Sequence, residues 1–276
     1  YAVAEPYLLA DILEHAERTQ EADGLALALN RIDNDDGIYA SIVDKAKTLH
    51  IMGHNPSSDS GIWETVQDAG GIETELVTNG ITVIESTSAS DVQDVTIEGH
   101  YLAANGDLVF HIQTATLTGV TPVTLAQPLA RCSLLHSEAV ATVGVVSVAE
   151  TTGGIIHNEI LATHVQSEKC QMSTSYRDYF VITSYGSSIL GGNNASVKFE
   201  LDHREANEAW HPIAQWSLKG DNTDYQRDLN PPEVLHTNSE LRIRAFSNTN
   251  GTEVDAHIAG YLAINEALKD AVDPAP

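Results

Sequence analysis

From about residue 74 onward the chain is a succession of short β-branched and aromatic runs cut by Gly, Asn and Pro, and this constrains the fold more than any other feature. Runs such as TVIES, DVTIEGHYL, LVFHIQTAT, SVKFELDHRE and SELRIRAFS alternate apolar with polar residues. A period of two suits strands with one buried face and fits no helix. Asn79-Gly80 lies between two such runs and is the strongest hairpin signal, because a type I′ turn needs positive φ at both central residues. A second hairpin turns at the ANGD of 104–107. Leu241, Ile243 and Ala245 alternate with Glu240, Arg242 and Arg244, which predicts an antiparallel sheet with one wet face. Strands at roughly 8–12-residue spacing with no long helix between them predict a sandwich or barrel.

The first fifty residues differ in texture. Pro6 fits a first helical turn, and Leu8, Leu9, Ile12, Leu13 and Ala16 recur at three- and four-residue spacing, which predicts an amphipathic helix over 6–21. Its isolated apolar stripe needs a partner surface. The expected fold class is therefore mainly β: two antiparallel β-sandwich modules, jelly-roll or immunoglobulin-like, with a short N-terminal helical arm. The expected divisions are an arm over 1–50, a first β module over 51–152, a second over 153–265 with the cut at the TTGG of 151–154, and a flexible C-terminal tail over 266–276.

Composition bears on partners. With 39 Asp+Glu against 14 Lys+Arg and a formal net charge of -25, the chain repels a phosphate backbone, which argues against nucleic acid. Few lysines and many carboxylates read as a surface adapted to high salt. No run approaches the ~18 apolar residues that span a bilayer, which argues against a membrane partner. Cys132 and Cys170 are read as two buried free thiols, with a single bridge as the alternative.

Chemistry has little to anchor it. The twelve histidines read as surface or hydrogen-bonded groups. Asp33 and Asp35 in the DNDDG turn are the candidates for a structural cation, but an EF-hand register places Gly sixth and Glu twelfth, whereas here Gly37 falls fifth and Asp44 twelfth. GxSxG, SxxK, GxGxxG and GxxxxGK[ST] are missing, so no nucleophile or phosphate cradle is indicated, and no catalytic residue or cofactor is expected.

The segment IMGHNPSSDSGIWETVQDAGG over 51–71 contributes Gly53, Asn55, Pro56, Asp59, Trp63, Gly70 and Gly71. The strands after it contribute Val95, Ile97, Gly99, Asn105, Thr116, Gly119, Pro122 and Val123. In this order they resemble a family of virion structural proteins of tailed viruses, with a GxNPxxD…W…GG loop followed by a strand–turn–strand pattern. The likeness runs over 51–265 and is strongest over 51–150; it departs at His100-Tyr101, at HIQTATLTG and at Cys132-Ser133.

The resemblance implies a non-catalytic, homo-oligomeric component of a virion, a capsid decoration or a head- or tail-attached spike. Its partners would be copies of itself and other virion proteins such as the major capsid protein or a tail component. The salt-adapted surface would place the host in a halophilic or marine setting. Asn55, Pro56, Trp63, Gly70 and Gly71 read as a joint between the arm and the β scaffold, with Leu8, Leu9, Ile12 and Leu13 anchoring the arm. The alternative is a receptor-binding adhesin in which Trp210 and Trp216 contact a host glycan; an enzyme acting on host polymer is the third reading.

Overall fold

The computed structural model describes residues 46–71, 80–138, 140–191, 195–205, 208–220 and 223–264. The expected helix with Leu8, Leu9, Ile12 and Leu13, the turn with Asp33 and Asp35, the turn residue Asn79 and the tail lie outside the described residues. The described residues form antiparallel sheets and contain no helix.

Two sheets face each other across one core. The first has the order β1 (Ala46–Ser58), β16 (Thr252–Ile264), β11 (Asp178–Gly191), β14 (Thr223–Leu235). In the second, β15 (Ser239–Ser247) is flanked by β12 (Ser196–Glu205), with β13 (His211–Lys219) beyond it. On the other side of β15 lie β10 (Gln171–Ser173) and β2 (Trp63–Thr65). Phe180, Ile182, Ile189, Val254 and Ile258 from one sheet meet Val197, Phe199, Leu201, Leu241 and Ile243 from the other. Each fully buried side chain of this size contributes about 1.5–3 kcal/mol, so this shared core is what joins the sheets.

Between β2 and β10 the chain leaves this sandwich and builds a second unit with its own core. One sheet has the order β6 (Val123–Leu129), β3 (Ile81–Ser86), β8 (Val146–Ala149), β9 (Ile156–Ile160); the other is β5 (Leu108–Thr116), β4 (Asp94–Leu102), β7 (Arg131–Ser137). Ile84, Val95, Ile97, Leu129, Leu135, Val146 and Ile160 fill it. The Gln113 side-chain amide donates to the Gln127 carbonyl at 2.8 Å and accepts from the Gln127 amide at 3.0 Å. It thereby mimics a backbone partner and bridges the edges of β5 and β6. The turn expected at 104–107 joins β4 to β5, closed by the Ala103 amide on the Asp107 carbonyl at 2.9 Å.

The sequential division at 152/153 does not hold. The TTGG of 151–154 is the turn between β8 and β9, which pair with each other, while β1 pairs with β16 from Ala46↔Ala263 to Ser58↔Thr252. Turn chemistry is the same in a hairpin as in a linker, and alternation marks a strand without naming its partner. The arm boundary at residue 50 likewise cuts into β1. Cys132 and Cys170 are free and buried, one in each core, and burial pushes the Cys132 thiol up to about 11.

The two crossovers between the units run side by side as a neck. The Cys170 amide donates to the Val66 carbonyl and the Asp68 amide to the Glu168 carbonyl, each at 2.9 Å, and Gln67 bridges Lys169. Gly53 of β1 lies directly against this zip: a Cβ there would stand 2.2 Å from the Val66 oxygen and 2.3 Å from the Cys170 nitrogen. Gly53→Ala should therefore wedge β1 off the neck and cost about 3 kcal/mol, read as a lower urea midpoint with an unchanged slope.

Candidate functional site

The outer face of the second sheet is a ladder of charges. β12 turns Val197, Phe199 and Leu201 inward, so Glu200, Asp202 and Arg204 share the opposite face; on β15 Leu241, Ile243 and Ala245 point inward and Glu240, Arg242 and Arg244 outward. The register sets Glu200 opposite Arg244, Asp202 opposite Arg242 and Arg204 opposite Glu240. Every rung is an opposite-charge cross-strand pair.

Most of this face is not wet, which corrects the expectation for Glu240 and Arg242, while Arg244 is half-buried. Glu240 is 1% exposed, Arg242 7% and Asp202 0%. Among the described residues, three groups cover the ladder. Trp210 lies over the Arg204 and Arg242 guanidiniums, 4.3 and 3.8 Å from its ring centroid. Trp63 lies over Arg244 at 5.4 Å and packs on Phe246, with ring centroids 5.4 Å apart. Arg131 reaches in from β7 of the inserted unit.

Arg131 ties the units together. Its Nε donates to both Glu240 oxygens at 3.0 Å and its Nη2 to Oε1 at 2.8 Å, while Arg204 Nη2 holds the same carboxylate at 2.9 Å. Asp202 lies between Arg244 Nε at 2.5 Å and Arg242 Nε at 3.3 Å. Burial pushes the Asp202 carboxyl up, and Arg244 and then Arg242 pull it back. Glu200 holds Arg244 Nη2 at 2.6 Å and accepts from the Gln215 side chain. Each carboxylate is thus engaged by guanidinium, so the arrangement suits fixing one unit on the other rather than proton transfer. Further links are the Leu108 amide on Asn238 Oδ1 and the Tyr176 amide on the Leu108 carbonyl, each at 3.0 Å.

Of the residues expected to form a joint, Asn55, Gly70 and Gly71 lie at the neck, while Trp63 packs on Phe246 beside the ladder. Asn55 is buried, donates to Glu64 Oε2 at 3.1 Å and accepts from the Ser57 amide at 3.0 Å, while Pro56 is exposed at the irregularity that ends β1. Burial raises the Glu64 carboxyl, opposed by the Asp59 amide. Gly70 and Gly71 take positive φ, 59° and 71°, where the chain turns out of the sandwich. Burial pushes Asp68 up to about 6. Trp216 is not a surface platform: it packs against the sandwich core, stacks on Phe199 and Tyr225 at 5.8 and 5.5 Å, and donates to Ser187 Oγ at 2.7 Å. Trp210 is half-buried on its two arginines.

Arg131 was missed from sequence because it belongs to the other unit; alternation on β7 was the only available signal. Glu240→Gln removes the charge that Arg131 and Arg204 share and should cost about 3 kcal/mol in urea unfolding, whereas Arg131→Met, which leaves the Glu240–Arg204 pair, should cost about 1 kcal/mol. Acid acts on the same junction. Burial, then the Arg131 charge, hold His100 down at about 4, below its ordinary 6.5 in the unfolded chain. The unfolded state therefore takes the proton first, and stability present above pH 6.5 is lost between 6.5 and 4, up to about 3 kcal/mol. Asp68 acts with the opposite sign, because its raised carboxyl favours the folded state at low pH. The difference between wild type and His100→Gln across pH 4–7 should isolate the histidine: the variant's stability should fall less towards pH 4.

No family model matches this chain, and no curated protein matches it in sequence. Among solved structures, the infectious bursal disease virus VP2 subviral particle is 9% identical over 73% of this chain and 86% of that one, with a TM-score of 0.10. The infectious bursal disease virus Gx strain structure is 8% identical over 83% and 82%, with a TM-score of 0.11. Likeness at that level carries no argument about fold or function.

Proposed function

We propose that this chain is a non-catalytic structural subunit of a tailed-virus particle, a homo-oligomeric capsid decoration or head- or tail-attached spike that contacts a major capsid protein or tail component. The observation that carries the reading is the shared Glu240 carboxylate, which binds Arg131 of the inserted unit and Arg204 of the sandwich. A buried two-sided clamp of this kind makes a two-unit chain into one stiff block, the property an assembly subunit needs. The ordered likeness over 51–265 points the same way.

Self-association has a surface to use. Phe110 and Ile112 on the edge strand β5, with Leu102 on β4, share one face of their sheet and are 46%, 53% and 58% exposed. An apolar row on an edge strand invites a second copy. A second reading, a receptor-binding adhesin, is favoured by Trp210 alone: its Nε1 is buried without a hydrogen-bond partner and its ring is backed by two guanidiniums, a pairing suited to an acidic sugar.

The chain should sediment as a discrete oligomer, and Phe110→Asp should return it to the 29.7 kDa monomer. A C-terminal label should appear at symmetry-related positions on purified particles, and removal of residues 1–44, which spares β1, should abolish its incorporation. A wild-type monomer at every salt concentration together with unlabelled particles would sink the proposal. In that case, quenching of Trp210 fluorescence by acidic oligosaccharides would support the adhesin.

A further inference from the structure

The neck brings together three groups that no sequence motif connects. His54 lies on β1, Asp68 on the outgoing crossover and Glu168 on the returning one, and one ligand atom from each lies within 4.8 Å of the others. His50 and His54 stand four residues apart, but on an extended strand that separates them by about 13 Å, so they do not chelate together. The Asp68 side chain is fully buried. Its Oδ2 accepts from the Glu168 amide at 2.8 Å. Among the described residues its Oδ1 has no hydrogen-bond partner, and it faces His54 Nδ1 at 3.5 Å.

The opposite ring nitrogen of His54, Nε2, lies 3.2 Å from Glu253 Oε1. In the neutral tautomer that carries its proton on Nε2, the imidazole donates a hydrogen bond to that carboxylate and turns the bare Nδ1 lone pair towards Asp68 Oδ1. Two electron-rich atoms then confront each other in a shielded place, and Asp255, in register with His54 on β16, adds a further carboxylate nearby. A positive charge between them would relieve the arrangement.

We propose that His54 Nδ1, Asp68 Oδ1 and a Glu168 carboxylate oxygen form a binding site for one divalent transition cation, Zn²⁺ or Mn²⁺, which ties β1 to both crossovers of the neck. Two ligand atoms each about 2.1 Å from a tetrahedral metal stand ~3.4 Å apart, which matches the 3.5 Å between Nδ1 and Oδ1. Glu168 is half-buried on the chain's return into the sandwich, and a small closing movement completes the set. Imidazole nitrogen selects Zn²⁺ or Mn²⁺ over Ca²⁺, which prefers an all-oxygen shell. Glu253 plays the part of the outer carboxylate that orients a metal-bound histidine.

Calorimetric titration of the metal-stripped full chain with ZnCl2, MnCl2 and CaCl2 tests this. One site per chain is expected for Zn²⁺ or Mn²⁺, with a Tm rise of about 5 °C at a hundredfold excess over Kd that EDTA reverses. His54→Gln changes a half-buried ring and should weaken binding at least tenfold; Asp68→Asn should do the same, although it also touches the Glu168 amide. His211→Gln, at an exposed histidine on β13, should bind as wild type does. No heat and no Tm shift with Zn²⁺ or Mn²⁺, a preference for Ca²⁺, or binding unchanged in His54→Gln would each overturn the proposal.

Discussion

The hydrogen-bonded zip between residues 66–68 and 168–170 is what the rest of the structure depends on. Through it a seven-stranded unit enters and leaves the sandwich at nearly one point, with the Asp68–Glu168 contact closing a sequence separation of 100 residues. Closing a flexible loop of that length costs about 4 kcal/mol, and each doubling only about 0.6 more, so the size of the insertion is cheap once its ends are joined. The ends are joined where β2 and β10 already lie on the same side of β15. The sandwich therefore keeps an unbroken sheet although its sequence is interrupted. Pairing β1 with β16 is equally non-local, and a fold dominated by such contacts is expected to form slowly.

The charge ladder answers a problem that this topology creates. Seating a second unit against an outer sheet face would bury polar groups, and isolated buried charges cost several kcal/mol each. Opposite charges in cross-strand register, capped by Trp210 and Trp63, settle most of them within the face itself, and Arg131 completes the set from outside. Replacing such a network by apolar side chains is often neutral in stability. Its value here lies in direction: a bidentate guanidinium on Glu240 fixes the angle between the units in a way that an oily contact would not.

Much of the fold was legible in the sequence, and the misses share one cause. The β4–β5 hairpin announces itself in ANGD, and the inward faces of β12 and β15 follow from Val197, Phe199 and Leu201 and from Leu241, Ile243 and Ala245. Alternation is a local signal, however, and partner choice is not. Nothing near Thr48 names Tyr261 as its neighbour, nothing around TTGG distinguishes a hairpin from a linker, and Arg242 looks identical whether water or Trp210 lies above it. His54 and Asp68 both stand in the 51–71 stretch, but their meaning appears only with Glu168, which arrives from the far side of the inserted unit.

The same distinction between local and distant charge explains how a very acidic chain can keep a charged junction. Among the described residues the ladder holds four guanidiniums, those of Arg131, Arg204, Arg242 and Arg244, and the carboxylates of Glu200, Asp202 and Glu240. The excess of 39 acidic over 14 basic side chains is therefore carried elsewhere on the chain. Repulsion among exposed carboxylates is screened within about 8 Å at physiological ionic strength and within about 3 Å at 1 M, whereas shielded pairs at hydrogen-bond distance barely sense the salt. Added salt thus relieves the term that opposes compaction and leaves intact the term that orients the two units. An acidic exterior and an arginine-rich interior junction are compatible for that reason, with four of the 14 basic side chains placed at the junction.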